Sequence, residues 1–118
     1  MITSHNMEDK RMNIYDFIDQ LIKTTHNGGC KWEDNKDTYR LRLNSGSVTL
    51  RVIYDPISDY TRYEIKLFAD NECFAVYMAE SFDQLYGMLD TLFKAIKEVE
   101  QIEIEKKMFN LYSDLKNI

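Results

Sequence analysis

The stretch TYRLRLNSGSVTLRVIYD, residues Thr38 to Asp55, alternates apolar and polar residues with period two on both sides of a Ser-Gly pair. Alternation of this kind marks half-buried β-strands, because successive side chains point to opposite faces. In the first strand Tyr39, Leu41 and Leu43 fall on one side, with Arg40 and Arg42 on the other. In the second, Val48, Leu50, Val52 and Tyr54 share a side. With Ser45-Gly46 as a two-residue hairpin loop, Leu43 faces Val48, Leu41 faces Leu50 and Tyr39 faces Val52, so the apolar sets coincide.

Two more hairpins extend the pattern. Pro56-Ile57-Ser58-Asp59 forms a four-residue loop in which proline supplies the fixed φ of a turn, setting Val52 opposite Tyr63, Leu50 opposite Ile65 and Val48 opposite Leu67. Asp70-Asn71 tolerates positive φ and closes the next hairpin, bringing Leu67 to Phe74, Ile65 to Val76 and Tyr63 to Met78. The predicted buried face is therefore Tyr39, Leu41 and Leu43, then Val48, Leu50 and Val52, then Tyr63, Ile65 and Leu67, and finally Phe74, Val76 and Met78.

Helices flank these strands. Asn6 followed by Glu8 and Asp9 has the form of a helix start and predicts a helix over about Met7 to Thr25, with Ile14, Phe17, Ile18, Leu21 and Ile22 on one face and His26-Asn27-Gly28-Gly29 as the stop. The polar stretch Lys31 to Asp37 then reads as a surface connection, with Trp32 at the edge of the core. After the last strand, Ser81 and Gln84 suit a capping box, and Phe82, Leu85, Leu89, Leu92, Phe93, Ile96 and Val99 follow helical spacing.

Beyond Val99 a second stripe begins, Ile104, Met108, Leu111, Leu115 and Ile118, displaced from the first by roughly 100° on an unbroken helix. A helix from Phe82 to Asn117 would be ~54 Å long, whereas six strand residues cover only ~20 Å. The extension 100–118 must therefore either bend near Glu100 and fold back on the first helix, or protrude and pack against a second copy. The homodimer, through Ile104, Met108, Leu111 and Leu115, is the favoured solution, because an isologous pair is the commonest way to bury such a stripe.

The expected fold is α+β in the order αββββα: a four-stranded antiparallel meander, order 1-2-3-4, with both helices on one face and a long C-terminal helix. A chain of 118 residues fits a single domain over 1–118, with 1–6 as a disordered N-terminus. Hydrophobic content of 44% with 30% charged residues describes an ordered chain. Residues 1–6 lack the layout of a signal peptide, and no apolar run approaches the ~20 residues of a membrane span, so a cytoplasmic location without membrane attachment is expected. In that compartment Cys30 and Cys73 stay as thiols.

The face opposite the apolar rows is basic in an otherwise acidic protein of net charge −5. It carries Arg40, Arg42, Arg51, Arg62 and Lys66 with Glu64 and Tyr77, and in this register Arg40 stands across from Arg51. Like charges at that spacing repel, so the surface is either solvated and cross-bridged or built to receive an anion. A protein partner with an acidic patch fits best. Nucleic acid fits poorly, because the net charge repels a phosphate backbone and no paired aromatic motif is present. The acidic helices could equally meet a basic protein.

Chemistry is sparse. His5, His26, Cys30 and Cys73 are the only histidines and cysteines, and His26-x3-Cys30 is not a zinc pattern, so no metal or cofactor is expected. Glu98 and Glu100, like Glu103 and Glu105, are two apart and do not face each other on a helix. Gly28-Gly29 follows a helix where a phosphate-cradling loop would precede one. No acid, base and nucleophile set assembles, so no catalytic residue is assigned. The sequence thus points to a non-catalytic interaction module of inhibitor, immunity or accessory type. The alternative is a binder of an anionic metabolite or nucleotide, and an enzyme is the third class.

Overall fold

A computed structural model describes residues 11–80 and 83–118. Helix α1 spans Ile14–His26 and is followed by β1 (Trp32–Asn35), β2 (Thr38–Leu43), β3 (Gly46–Asp55), β4 (Tyr60–Ala69) and β5 (Glu72–Ala79), then helix α2 (Gln84–Lys116). The strands form one antiparallel sheet in the order β1-β2-β3-β4-β5. It is an α+β meander with one strand more than the alternation revealed. Strand β1 was hidden because only Trp32 in Trp-Glu-Asp-Asn is apolar, and an edge strand needs no alternating core face.

The ladder between β3 and β4 follows the expected register, with Val52 opposite Tyr63, Leu50 opposite Ile65 and Val48 opposite Leu67. Between β2 and β3 the turn is Asn44-Ser45, one residue earlier than expected, so Leu43 pairs with Gly46, Leu41 with Val48 and Tyr39 with Leu50. This slip of two preserves the faces, because side chains alternate with the same period. It does move Leu43 to the sheet rim, where it is exposed and not buried as predicted. It also separates Arg40, now opposite Thr49, from Arg51, now opposite Thr38.

The last hairpin departs further. Asp70 and Asn71 both adopt positive φ, as their turn requires, and Ala69 pairs with Glu72 and Phe68 with Cys73. Leu67 then pairs with Ala75, leaving Phe74 as the extra residue of a β-bulge. Past the bulge Ala75, Tyr77 and Ala79 take the core face, and the predicted core residues Phe74, Val76 and Met78 are exposed. Every residue from Cys73 to Ala79 is apolar, so alternation could not choose between the two faces.

Helix α1 begins with Asn13, whose side chain accepts a hydrogen bond from the Asp16 N–H at 2.9 Å. Residues 11–13 are not helical, so the continuous helix expected from Met7 is not formed; the proposed cap Asn6 and the disordered terminus 1–6 lie outside the described residues. The helix stops at His26, with Asn27 as C-cap and Gly28 at φ +77°. Asp83, not Ser81, caps α2, accepting from the Tyr86 N–H at 2.6 Å. Ser81 and Phe82 are outside the described residues.

Side chains from both helices and one set of strand positions form a single core: Ile18 and Leu21 from α1, Leu89, Leu92 and Ile96 from α2, with Tyr39, Leu41, Val48, Leu50, Tyr63, Ile65 and Ala79 from the sheet. Removing such side chains from water contributes roughly 1.5–3 kcal/mol each. Trp32 joins from the edge strand, its indole N–H donating to Thr25 Oγ1 at 3.1 Å, which supplies that buried threonine with a partner. Tyr63 spans core and surface: its ring lies 5.2 Å from that of Tyr86 and 6.0 Å from that of Phe93, and its hydroxyl donates to Asp90 Oδ1 at 2.6 Å.

Helix α2 runs unbroken to Lys116 without the fold-back near Glu100. From Gln101 onward every residue except half-buried Ser113 is exposed. The radius of gyration, 17.9 Å, accordingly exceeds the roughly 13.5 Å of a compact chain of this length.

A Cβ on Gly46 would collide with the Phe68 carbonyl across the ladder, so Gly46→Ala should destabilise by at least about 2 kcal/mol in urea unfolding. Burial acts to raise the Asp90 pKa, but hydrogen bonds from Tyr63 and Lys94 outweigh it and hold the carboxyl below its usual range. That stabilisation is complete above the unfolded value near ~4 and lost as pH falls through the lower folded value. Tyr63→Phe should therefore cost about 1–2 kcal/mol at pH 7 and show a smaller further loss on acidification than the parent.

Candidate partner-binding surface

Parity along the ladders places Arg40, Arg42, Arg51, Arg62 and Lys66 together on the face opposite the core, as their alternation required. Arg40, Arg42 and Arg51 are exposed, and Arg62 and Lys66 half-buried. Tyr77 does not join them. The bulge turns it to the core side opposite Ile65, and Val76 and Met78 stand on the basic face in its place, across from Lys66 and Glu64. No alternation signal could have found these two, because they lie within the uniformly apolar segment.

The added edge strand also changes the electrostatics. Glu33 stands opposite Arg40 and forms an ion pair with Arg42 at 3.2 Å, so Glu64 is not the sole carboxylate of this face. Lys66 lies 3.8 Å from Glu64, and Arg62 lies 4.0 Å from Glu80 just past β5. At the far end of β3, Asp55 belongs to the same face, where its carboxylate accepts hydrogen bonds from Ser58 and Ile57; those bonds hold its pKa below the ordinary range. Five cations thus meet three ladder carboxylates, Glu33, Asp55 and Glu64, and a fourth in Glu80: a net +1 here against −6 for the rest of the chain.

Among the described residues, Arg40 and Arg51 form no ion pair. They are diagonal neighbours across the β2–β3 ladder, a relation that separates positions by roughly 7–8 Å and lets long side chains converge on a common group. Thr49 lies between Arg40 and Lys66 and is only 7% exposed, as expected where long aliphatic stems cover a short side chain. Toward the turns, Arg40, Arg42, Ser47, Phe68 and Asn71 line an open groove of about 480 Å³ whose wall also includes Asp70.

The residues expected to mediate self-association lie elsewhere. Ile104, Met108, Leu111 and Leu115 are exposed by 51–66% on the projecting part of α2. His26 is exposed, Cys30 is buried, and Cys73 is an exposed thiol on β5. Among the described residues no three His, Cys, Asp or Glu side chains gather as a metal site, and no helix is long and apolar enough to cross a membrane. No protein-family model matches the chain, nor does any curated protein or solved structure.

The register determines how this face can be tested. Arg51→Glu would oppose Glu64 and Arg40→Glu would oppose Glu33, adding cross-strand repulsion of ~0.2–1 kcal/mol each. Glutamine avoids that repulsion. The Arg40→Gln, Arg51→Gln double variant should therefore match the parent within about 0.5 kcal/mol in chemical unfolding.

Proposed function

We propose that this protein is a non-catalytic interaction module that binds a protein bearing an acidic patch through the sheet face of Arg40, Arg42, Arg51, Arg62 and Lys66. The observation that carries it is the segregation of charge: cations collect on one face of an acidic chain, and two of them, Arg40 and Arg51, form no ion pair among the described residues although Glu33 and Glu64 stand across the ladder from them. Guanidinium groups suit this role because their planar fork binds a carboxylate through two hydrogen bonds. Exposed Val76 and Met78 beside Lys66 supply apolar area that a purely solvated face would not need. Both helices are taken to stand on the core face, a placement supported by the core cluster that they share, which leaves the opposite face free for a partner. An inhibitor, immunity or accessory role in the cytoplasm is in keeping with such a surface.

The groove beside Arg40 and Arg42 favours a second use, capture of an anionic metabolite or nucleotide. Its size is within the usual range for small-molecule sites, but it is open and includes the carboxylate of Asp70. A thermal-shift screen against nucleotides and phosphorylated metabolites separates the two, since a ligand bound only by the folded state raises the melting temperature. The protein-partner proposal expects no shift from the screen. It also expects a partner captured from the native host to be lost with the Arg40→Gln, Arg51→Gln variant and to bind more weakly as salt rises. Retention of that partner with unchanged affinity would move the contact to the acidic helices.

A further inference from the structure

The projecting part of α2 has its own pattern. Spacings of four, three, four and three link Ile104, Met108, Leu111, Leu115 and Ile118, the repeat of a coiled-coil seam. In heptad terms Gln101, Met108 and Leu115 occupy a and Ile104 and Leu111 occupy d, with Ile118 falling at the next d position two residues past the helix end. The seam lies roughly 100° around the helix from the residues that enter the core, and its side chains are exposed.

The flanking positions discriminate between partner orientations. Glu100, Lys107 and Asp114 fall at g, and Glu105 and Tyr112 at e. A parallel homodimer would set Glu100 against the partner subunit's Glu105, a repulsion repeated by symmetry. In an antiparallel pair, Met108 packs on Leu111 of the partner subunit and Ile104 on Leu115 of the partner subunit. Lys107 then meets Asp114 of the partner subunit, and Glu105 meets the Tyr112 hydroxyl of the partner subunit. Each favourable contact occurs twice. The same register brings Ile118 to Gln101 of the partner subunit, so each tip reaches the point where the exposed segment of the other arm begins.

We propose that residues 101–116 form an antiparallel two-helix coiled coil with a second copy of this chain, the Lys107–Asp114 contacts setting its direction and Ile118 standing just past the helix end. The helix continues out of the folded core, so little ordering cost opposes association. This pairing is independent of the sheet-face proposal, whose variants leave the arm untouched.

Sedimentation equilibrium on the full chain should show a dimer at micromolar concentration. Lys107→Asp or Asp114→Lys alone should weaken it about tenfold by turning two attractive contacts repulsive, whereas the combined exchange should restore it to within about threefold. Met108→Glu with Leu111→Glu should abolish it. Spin labels on Ile118→Cys in a Cys73→Ser background test direction: antiparallel arms place them about 25–30 Å apart, and parallel arms within roughly 15 Å. A monomer at 100 µM (about a hundredfold above the expected range), single exchanges without effect, or the short distance would each overturn the proposal.

Discussion

Backbone pairing on both sides of β3 is the constraint on which the rest of the structure depends. Leu50, fully buried, lies between Tyr39 and Ile65 in the ladder, and that row fixes which side chains meet Leu89, Leu92 and Ile96 of α2. Once this row faces the core, the odd-numbered positions of β3 must face away, carrying Arg51 with Thr49 and Ile53. Fine side-chain packing is secondary to this parity, because a one-residue shift would exchange the two sets wholesale. Gly46 protects the pairing at the strand's start, where backbone alone fits against Phe68.

The legibility of the chain follows from the same parity. Strands with clean alternation, such as Thr38–Leu43, disclosed their faces despite an error in the turn, since moving the loop to Asn44-Ser45 shifts pairing by two and leaves inside and outside unchanged. The bulge at Phe74 shifts pairing by one, and its apolar surroundings offered no polar residue to mark the change. Alternation alone therefore sets Tyr77 on the basic face and Val76 and Met78 in the core, the reverse of what the bulge produces. Strand β1 was missed for the opposite reason: its polar residues resemble a loop until Glu33 is seen paired across from Arg40. The five basic residues are legible because every one lies in a strand whose alternation is unambiguous, and so is Glu64 among them; Glu33 of β1 and Glu80 past β5 are not.

Helix α2 joins two regions with different demands. Its first half is held by Leu89, Leu92, Ala95 and Ile96 and by the Tyr63–Asp90 hydrogen bond, and its second half carries a seam rotated away from that core. A single rigid helix cannot turn both stripes toward one body, so burial in the first half exposes the second. The basic sheet face and the projecting arm are thus consequences of the same core: one is what the sheet leaves over, the other what the helix leaves over.

The sheet parity is tested most directly by cross-strand backbone nuclear Overhauser effects across β2, β3, β4 and β5 in the full chain. Contacts between Tyr39 and Leu50 and between Ile65 and Tyr77 are predicted, with Val76 and Met78 accessible to a soluble paramagnetic agent. Val76 opposite Ile65, with Tyr77 accessible in its place, would contradict the bulge and the composition of the basic face derived from it.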